Sequence, residues 1–569
     1  MKPTVVLAIA AALAVPAAAS AQGDPIMPLS QVQRGMQCTA RSVIHGTDVS
    51  TFDTEVLDVI AGDAADSARI LIRVSGPAID ATGIGPGFSG SPIYCPDGDA
   101  VARVIGAISE GIGEYGNKVG LATPIEQMLA EPVSPPAAAR HDPALLRRAR
   151  RLSLPLTISG VSAPLASVIR RVAARAGRTV FAGPAAPRQS AAPPALVPGS
   201  AFSAGYSSGD LSTGAIGTVA YVDGDQVWGF GHPLDSVGRR DLFLQGAYVY
   251  DIVNNPHGVG DASTYKLAAP MQDVGALLGD GINAVTGRLG ALPDAFPLTV
   301  AALDEDTGNR VILRSQIADE TPVGTPLGVS AASGIAAIAA GQASYEALGG
   351  SPARQSGALC MRIRIAERAR PLGFCNTYVG GTPGQAGVVG SPAVSDVSEA
   401  MSVLDDYQFA TLHVKGITID LRARRGLSQA YLIGLRGPHV LHRGRNYRFK
   451  ALLQRVRGPK LTKTLTIHVS HGLRRGFHQL VVHGTPSDSS GEPSDSDLEI
   501  ILGFDDSDSG DDPGPRSIRA LAHAIAQIHR YDGVTADFRA RGLESRKRVF
   551  RDPNLRVSGT QRLEVLIRP

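Results

Sequence analysis

The sequence predicts a mainly-β fold: two β-barrel units, then a β-sandwich-like C-terminal region with a few short helices. Three observations lead there. Glycine (65) and proline (39) are abundant among 569 residues while aromatics make up only 5%, a balance that suits short strands and tight turns. Alternating apolar runs of strand length recur between Gly, Pro, Asn and Asp. Runs with helical periodicity are few and isolated. A chain of this length has room for about three or four domains, each with its own core.

Residues 1–21 run from Lys2 through an apolar stretch, Thr4 to Ala19, to Ala19-Ser20-Ala21 ahead of Gln22. That order of charge, apolar core and small residues is a secretory signal peptide, so the chain is expected to be secreted or in the cell envelope, outside the cytoplasmic membrane. The apolar stretch is too short for a stable span, and no later stretch approaches roughly 20 apolar residues. No membrane span is therefore expected after signal removal. The first cysteine is Cys38, which leaves none at the cleavage point for a lipid.

Residues 22–131 read as the first barrel, with strands at Thr54–Ile60, Arg69–Val74, Ser91–Tyr94, Ala102–Ser109 and Lys118–Ala122. A helix closes it, signalled by Thr123 as cap, Pro124 at the first helical position and Glu126 at the third. Residues 132–198 form a Pro-, Ala- and Arg-rich connector with a short strand, Leu154–Ile158, and a helix from Ser162 to Arg175. Its apolar face carries Leu165, Val168, Ile169 and Val172. Residues 199–340 read as the second barrel, including strands Gly217–Val222 and Gln226–Phe230 around an Asp223-Gly224 turn. Residues 341–484 are the sandwich-like region, with alternating runs at Phe409–Val414, Thr418–Leu421, Tyr447–Leu453 and Leu461–Val469. Residues 485–515 are acidic and serine-rich and read as a mobile loop. Residues 516–569 supply a capped helix, Ser517–His529, and terminal strands. There is no internal repeat.

The net charge of +3 selects no partner. Eleven Lys or Arg and no acid lie between Arg436 and Gly484; in an exported chain these read as solvated strand faces, and no nucleic-acid partner is expected. His439, His442, His468, His471, His478 and His483 match no ligand spacing. The Asp505-Asp506-Ser507-Asp508 run lacks the glycine and terminal glutamate of an EF-hand loop. No metal or cofactor is expected. Arg147-Arg148 and Arg150-Arg151 read either as a processing site or as a solvated helix face.

Cys360 and Cys375 sit symmetrically about a Glu367–Pro371 turn in two alternating runs, as a hairpin bridged by a disulfide would place them. Cys38 and Cys95 are then the remaining pair, and export favours bridges over the alternative of four free thiols.

The chemistry concentrates in Gly83-Ile84-Gly85-Pro86-Gly87-Phe88-Ser89-Gly90-Ser91-Pro92-Ile93-Tyr94, followed by Asp97-Gly98, Val104-Ile105-Gly106-Ala107 and Gly120-Leu121-Ala122-Thr123-Pro124-Ile125. A serine between glycines can occupy a tight turn that exposes its hydroxyl and aims backbone N–H groups at one point. Ser89 is the candidate nucleophile, and the N–H groups of Gly87 and Ser89 are the candidate oxyanion hole. A serine needs a base. His232, in Trp228-Gly229-Phe230-Gly231-His232-Pro233-Leu234, is the candidate, and His45, in the same barrel as Ser89, is its rival. The third triad member is open among Asp80, Asp235, Asp241 and Asp251.

This ordered set resembles the second barrel of chymotrypsin-like peptidases, the HtrA type included. Gly87-Phe88-Ser89-Gly90-Ser91-Pro92-Ile93, with Ile216-Gly217-Thr218-Val219-Ala220-Tyr221 and Gly229-Phe230-Gly231-His232-Pro233, resembles the SpoIVB peptidase family of bacterial sporulation signalling over roughly Gly35 to Val300. The resemblance implies a serine endopeptidase of narrow specificity, acting on a protein or peptide, its own linker included, with Ser89 as nucleophile and His232 as base. Three departures stand against it. The serine segment precedes the histidine segment, Phe88 replaces a methionine, and no PDZ-like unit is visible. The alternative is a non-catalytic binding or cell-surface scaffold that keeps the barrels.

Overall fold

The structure is a computed structural model. It describes residues 23–61, 68–99, 101–112, 116–135, 156–175, 180–183, 185–187, 195–254, 264–320, 331–352, 354–380, 392–484, 514–528, 533–539, 547–552 and 554–569. Residues 1–21, read above as a signal peptide, the paired arginines at 147–151 and the acidic stretch 485–513, Asp505–Asp508 among it, lie outside the described residues.

The chain is mainly β and opens with a closed barrel of six strands: β1 (Gln37–Val43), β2 (Val49–Ile60), β3 (Arg69–Ser75), β4 (Pro92–Pro96), β5 (Ala102–Gly111) and β6 (Val119–Pro124). Alternation makes the barrel, since β3 buries Ile70, Ile72 and Val74 and turns Arg69, Leu71, Arg73 and Ser75 outward. β1 carries no alternating apolar signal in the sequence because its inward residues, Cys38, Ala40 and Ser42, are small or polar.

The helix after β6, α1 (Ile125–Leu129), is one short turn and differs from expectation at its cap. Pro124 occupies the N-cap without a side-chain bond. The Thr123 hydroxyl instead donates to the carbonyl of Gly231, 2.6 Å away in the second barrel.

Next come β7 (Leu156–Ser159), α2 (Ala163–Arg175), β8 (Val180–Gly183), β9 (Ala201–Gly209), β10 (Ser212–Asp223), β11 (Gln226–Gly229), β12 (Gly238–Val253), β13 (Tyr265–Asp280) and β14 (Val285–Leu289). The pairings β9 with β12, β12 with β13, β13 with β14, β14 with β11, β11 with β10 and β10 with β9 close a second ring of six strands. This ring is not isolated. It belongs to a 13-stranded sheet that continues through β15 (Ala295–Asp304), β16 (Arg310–Ala318), β17 (Gln355–Ile365), β18 (Leu372–Gly380) and β19 (Val414–Arg425). Helices α2, α3 (Ala331–Ala347), α4 (Pro392–Asp405) and α5 (Ile518–Gln527) share one apolar core with β15, β17 and β19.

β17 and β18 form the expected hairpin, in which Cys360 pairs in register with Cys375 and is bonded to it; Cys38 is bonded to Cys95. The segment Phe409–Val414 is not a strand until Val414. Phe409 is exposed, and His413 is held by the Glu367 carboxylate through both its backbone N–H and its ring.

The C-terminal sandwich begins at β20 (Gln429–Arg436) and continues through β21 (Val440–His442), β22 (Asn446–Arg455), β23 (Lys460–His468), β24 (Gly476–Gly484), β25 (Gly533–Arg539), β26 (Lys547–Arg551), β27 (Arg556–Ser558) and β28 (Thr560–Arg568). A four-stranded and a five-stranded sheet enclose its core around Phe449, Leu465, Leu480 and Val565. Ser517 caps α5 by accepting the N–H of Ala520. No described helix is long and apolar enough to cross a membrane.

Candidate functional site between the barrels

Ser89 lies in the loop between β3 and β4, and the last part of that loop, Gly85 to Ser91, is two consecutive β-turns. Phe88 N–H donates to the Gly85 carbonyl and Ser91 N–H to the Phe88 carbonyl, with Gly87 (φ +94°) and Gly90 (φ +95°) at the third turn positions. These are type II turns, with Pro86 and Ser89 at the second positions. Glycine is obligatory at 90 for a second reason: a Cβ there would come within 1.8 Å of the Thr218 carbonyl oxygen. The loop is thus pressed onto β10, where Thr218 N–H donates to the Ser89 carbonyl at 2.8 Å.

Each turn leaves a backbone donor unused. Among the described residues, the N–H groups of Gly87 and Ser89 donate to no partner. The Ser89 hydroxyl, on a residue 8% exposed, donates to the Ser109 carbonyl at 3.5 Å.

His232 follows β11. Gly231 N–H donates to the Gly229 carbonyl across Phe230, whose φ is +62°, which makes a γ-turn of the rare strained kind centred on a bulky side chain. The strain is held in place from several sides. The Phe230 ring stacks parallel to the His232 ring at 5.7 Å and covers Gly217, where a Cβ would lie 1.9 Å from its Cε1. Beyond the turn, the buried Asp280 carboxylate accepts N–H bonds from Leu234, Asp235 and Val237, and Arg240 lies beside it. Such strain persists only where the surroundings over-determine it, and it gathers at functional sites.

The imidazole is 3% exposed. Burial lowers its pKa below the usual histidine value, outweighing the raising effects of its bond to Pro233 and of Glu110. Its Nδ1 lies 2.8 Å from the Pro233 carbonyl. A carbonyl only accepts, so Nδ1 carries the proton and the neutral ring keeps its lone pair on Nε2. A backbone oxygen here does what the acid of a triad does, fixing tautomer and ring orientation.

None of the four candidate acids bonds His232. Asp80 pairs with Lys118 and Asp235 with Arg240; Asp241 accepts from Asp294 N–H and Asp251 from Ile252 N–H. His45 is exposed and packs edge-on against Tyr248.

The two loops meet across β5. Gly90 N–H donates to the Ile108 carbonyl and Ser89 Oγ to that of Ser109, while Gly231 packs against Ala107, Ile108 and Ser109, its Cβ direction 3.3 Å from Ser109 Cβ. No hydrogen bond links Ser89 Oγ to His232.

Behind the serine loop stands a group that sequence reading missed. Lys266, on β13, is 2% exposed. Its Nζ donates to Ser42 Oγ at 2.7 Å and to Thr218 Oγ1 at 3.1 Å, and lies 4.7 Å from the Phe88 ring centre. The signal was a lysine at the inward parity of an alternating run, in step with Ala268. The histidines of the C-terminal sandwich are dispersed; His439 and His442 meet backbone carbonyls and His468 meets Asn446. Among the described residues, no group of three His, Cys, Asp or Glu could hold a metal ion. Compared with known proteins, the chain matches no family model, no curated protein and no solved structure.

Proposed function

We infer that this chain is a serine endopeptidase of narrow specificity, of the SpoIVB type, working at the seam of its two barrels. The observation that carries the reading is the pair of undonated N–H groups on Gly87 and Ser89, beside a serine hydroxyl and across Ser109 from an imidazole whose free lone pair is on Nε2. Ser89 Oγ attacks the peptide carbonyl carbon as its proton passes to His232 Nε2. The two N–H groups receive the oxyanion. The imidazolium then returns the proton to the leaving amine, and water repeats the sequence on the acyl-enzyme. Two disulfides suit a protein working in an oxidising compartment, outside the cytoplasm.

A second reading, the non-catalytic binding scaffold, draws on the missing hydrogen bond between Ser89 and His232 and on their low exposure. A fluorophosphonate probe separates the two. Attack forms the Oγ–P bond, expels fluoride and passes the proton to His232. The enzyme reading expects labelling at Ser89 alone, lost in Ser89→Ala and slowed on the order of 10²- to 10⁴-fold in His232→Ala, with His45→Ala within about twofold of the parent. Because burial lowers the His232 pKa, the base is available at neutral pH, and the acid limb of the rate should fall below the ordinary histidine value of about 6.5. A folded protein that never takes up the probe is a scaffold.

A further inference from the structure

We propose that Lys266 is the positioning residue of the oxyanion hole: its backbone N–H holds the Pro86 carbonyl and its ammonium, through Thr218, holds the Gly87 carbonyl, so that the peptide planes on both sides of Gly87 are fixed and the Gly87 N–H is turned to the reacting side. The proposal rests on the serine-peptidase reading and names a brace that reaches the two turns from outside them.

The argument is one of hydrogen-bond direction. A peptide group is planar and trans, so its N–H points opposite to its C=O. The Pro86 carbonyl accepts the backbone N–H of Lys266 at 3.0 Å, which sends the Gly87 N–H the other way. The Phe88 carbonyl lies 2.7 Å from Ser91 Oγ, which sends the Ser89 N–H the other way.

Ser91 has one hydroxyl proton and two neighbours, the Phe88 carbonyl and Ser42 Oγ at 2.9 Å. That proton can go to either acceptor, and the Phe88 carbonyl also takes the Ser91 backbone N–H, so the turn holds this carbonyl by itself. Ser42 Oγ receives from Lys266 Nζ and lies 3.4 Å from Thr218 Oγ1. Thr218 Oγ1 gives its proton to the Gly87 carbonyl at 2.9 Å and receives from Lys266. An ammonium has three donors and no lone pair. Two of its donors face Ser42 and Thr218, and the Phe88 ring face lies alongside. The ammonium therefore sends the Thr218 proton on to the Gly87 carbonyl of the nucleophile loop.

Nothing else charged or titratable touches Nζ among the described residues: β1 presents Ser42, β10 presents Thr218 and the loop presents Phe88. Burial alone brings the amine down to a pKa of about 7. Once neutral, Nζ can accept from Ser42 or Thr218, and the order that serves the Gly87 carbonyl is released. The ammonium is the working form, and raising the pH through about 7 should slow the reaction.

The test is fluorophosphonate labelling of the intact mature protein against pH, with thermal unfolding measured in parallel. The parent should show a rate that falls on the alkaline side, with a midpoint near 7. Lys266→Met keeps the stem and removes every Nζ donor. It should lower the labelling rate on the order of 10²-fold, the scale of a lost oxyanion donor, and abolish the alkaline limb while the acid limb of His232 stays. Thr218→Val, which cuts the link between Nζ and the Gly87 carbonyl, should lower the rate on the order of tenfold and lose that limb as well; it decides the matter if the methionine variant does not fold. A parent that labels at Ser89, with folded variants that label equally fast and share its pH profile, overturns the role of Lys266 and leaves the peptidase reading standing. A parent that does not label at all overturns the peptidase reading first.

Discussion

The first barrel closes where β1 meets β4 over two residue pairs, Thr39 with Tyr94 and Ala40 with Ile93, whereas the second closes where β9 meets β10 over six, from Thr213 with Ser207 to Thr218 with Ala201. The short seam carries the Cys38–Cys95 disulfide, one residue beyond its paired positions on each strand. The long seam carries none. Ser89 is set by the short-seamed barrel, three residues before β4, and His232 by the long-seamed one. The difference shows in their loops: Ser89 sits in relaxed turns that glycine and proline favour locally, and His232 in a strained turn that distant residues hold.

If the disulfide substitutes for ladder bonds at the short seam, its removal should cost more than removal of the hairpin bridge and should reach the site. The two bridges span sequence separations of 57 and 15 residues, which corresponds to roughly 4 and roughly 3 kcal/mol of unfolded-state constraint. The Cys38→Ala, Cys95→Ala double variant should therefore unfold at lower denaturant than the Cys360→Ala, Cys375→Ala variant. It alone should slow labelling of Ser89 in the folded population. Equal labelling in both variants would show that β4 is held at the seam without its bridge.

Gly217 probes the strained side. A Cβ there would press on Phe230, which cannot retreat without disturbing the γ-turn and the stack on His232. Gly217→Ala should cost about 1–3 kcal/mol, as overpacking does, and should slow labelling through the base, leaving the turns of the serine loop unchanged. Should labelling be untouched in a destabilised variant, Phe230 positions nothing.

What the sequence reveals follows the same division. Gly85 to Pro92 announces its turns because glycine and proline at fixed offsets decide backbone conformation locally, and the Cys360–Cys375 hairpin is visible because its pattern is symmetrical. The histidine side depends on partners far along the chain: Asp280 is 48 residues beyond His232, and Gly217 matters only because Phe230 folds onto it. Lys266 shows only its inward parity in the sequence, and its role is hidden for the same reason, since its hydroxyl partners come from β1 and β10. The closure of the second ring through the 16-residue strands β12 and β13 is likewise a long-range pairing that no local signal announces.

Thr123 joins the two halves of this comparison, and it gives the smallest effect. As a helix cap, its hydroxyl would serve α1, and Thr123→Val would weaken that helix. In the structure the hydroxyl is bonded to Gly231, the residue next to His232, and both Thr123 and the γ-turn are buried. Valine keeps the shape and leaves the Gly231 carbonyl without that donor, a loss of about 1–2 kcal/mol. The labelling rate at Ser89 should fall on the order of tenfold or less, because a misplaced base costs rate even when it is intact. The acid limb of the pH profile should stay where it is, since Thr123 does not act on the His232 proton: that proton is set by burial and by Pro233. Thr123→Ser restores the donor and should restore the rate. A valine variant with parental rate and a frayed α1 would return Thr123 to the capping role and remove the tether between the barrels.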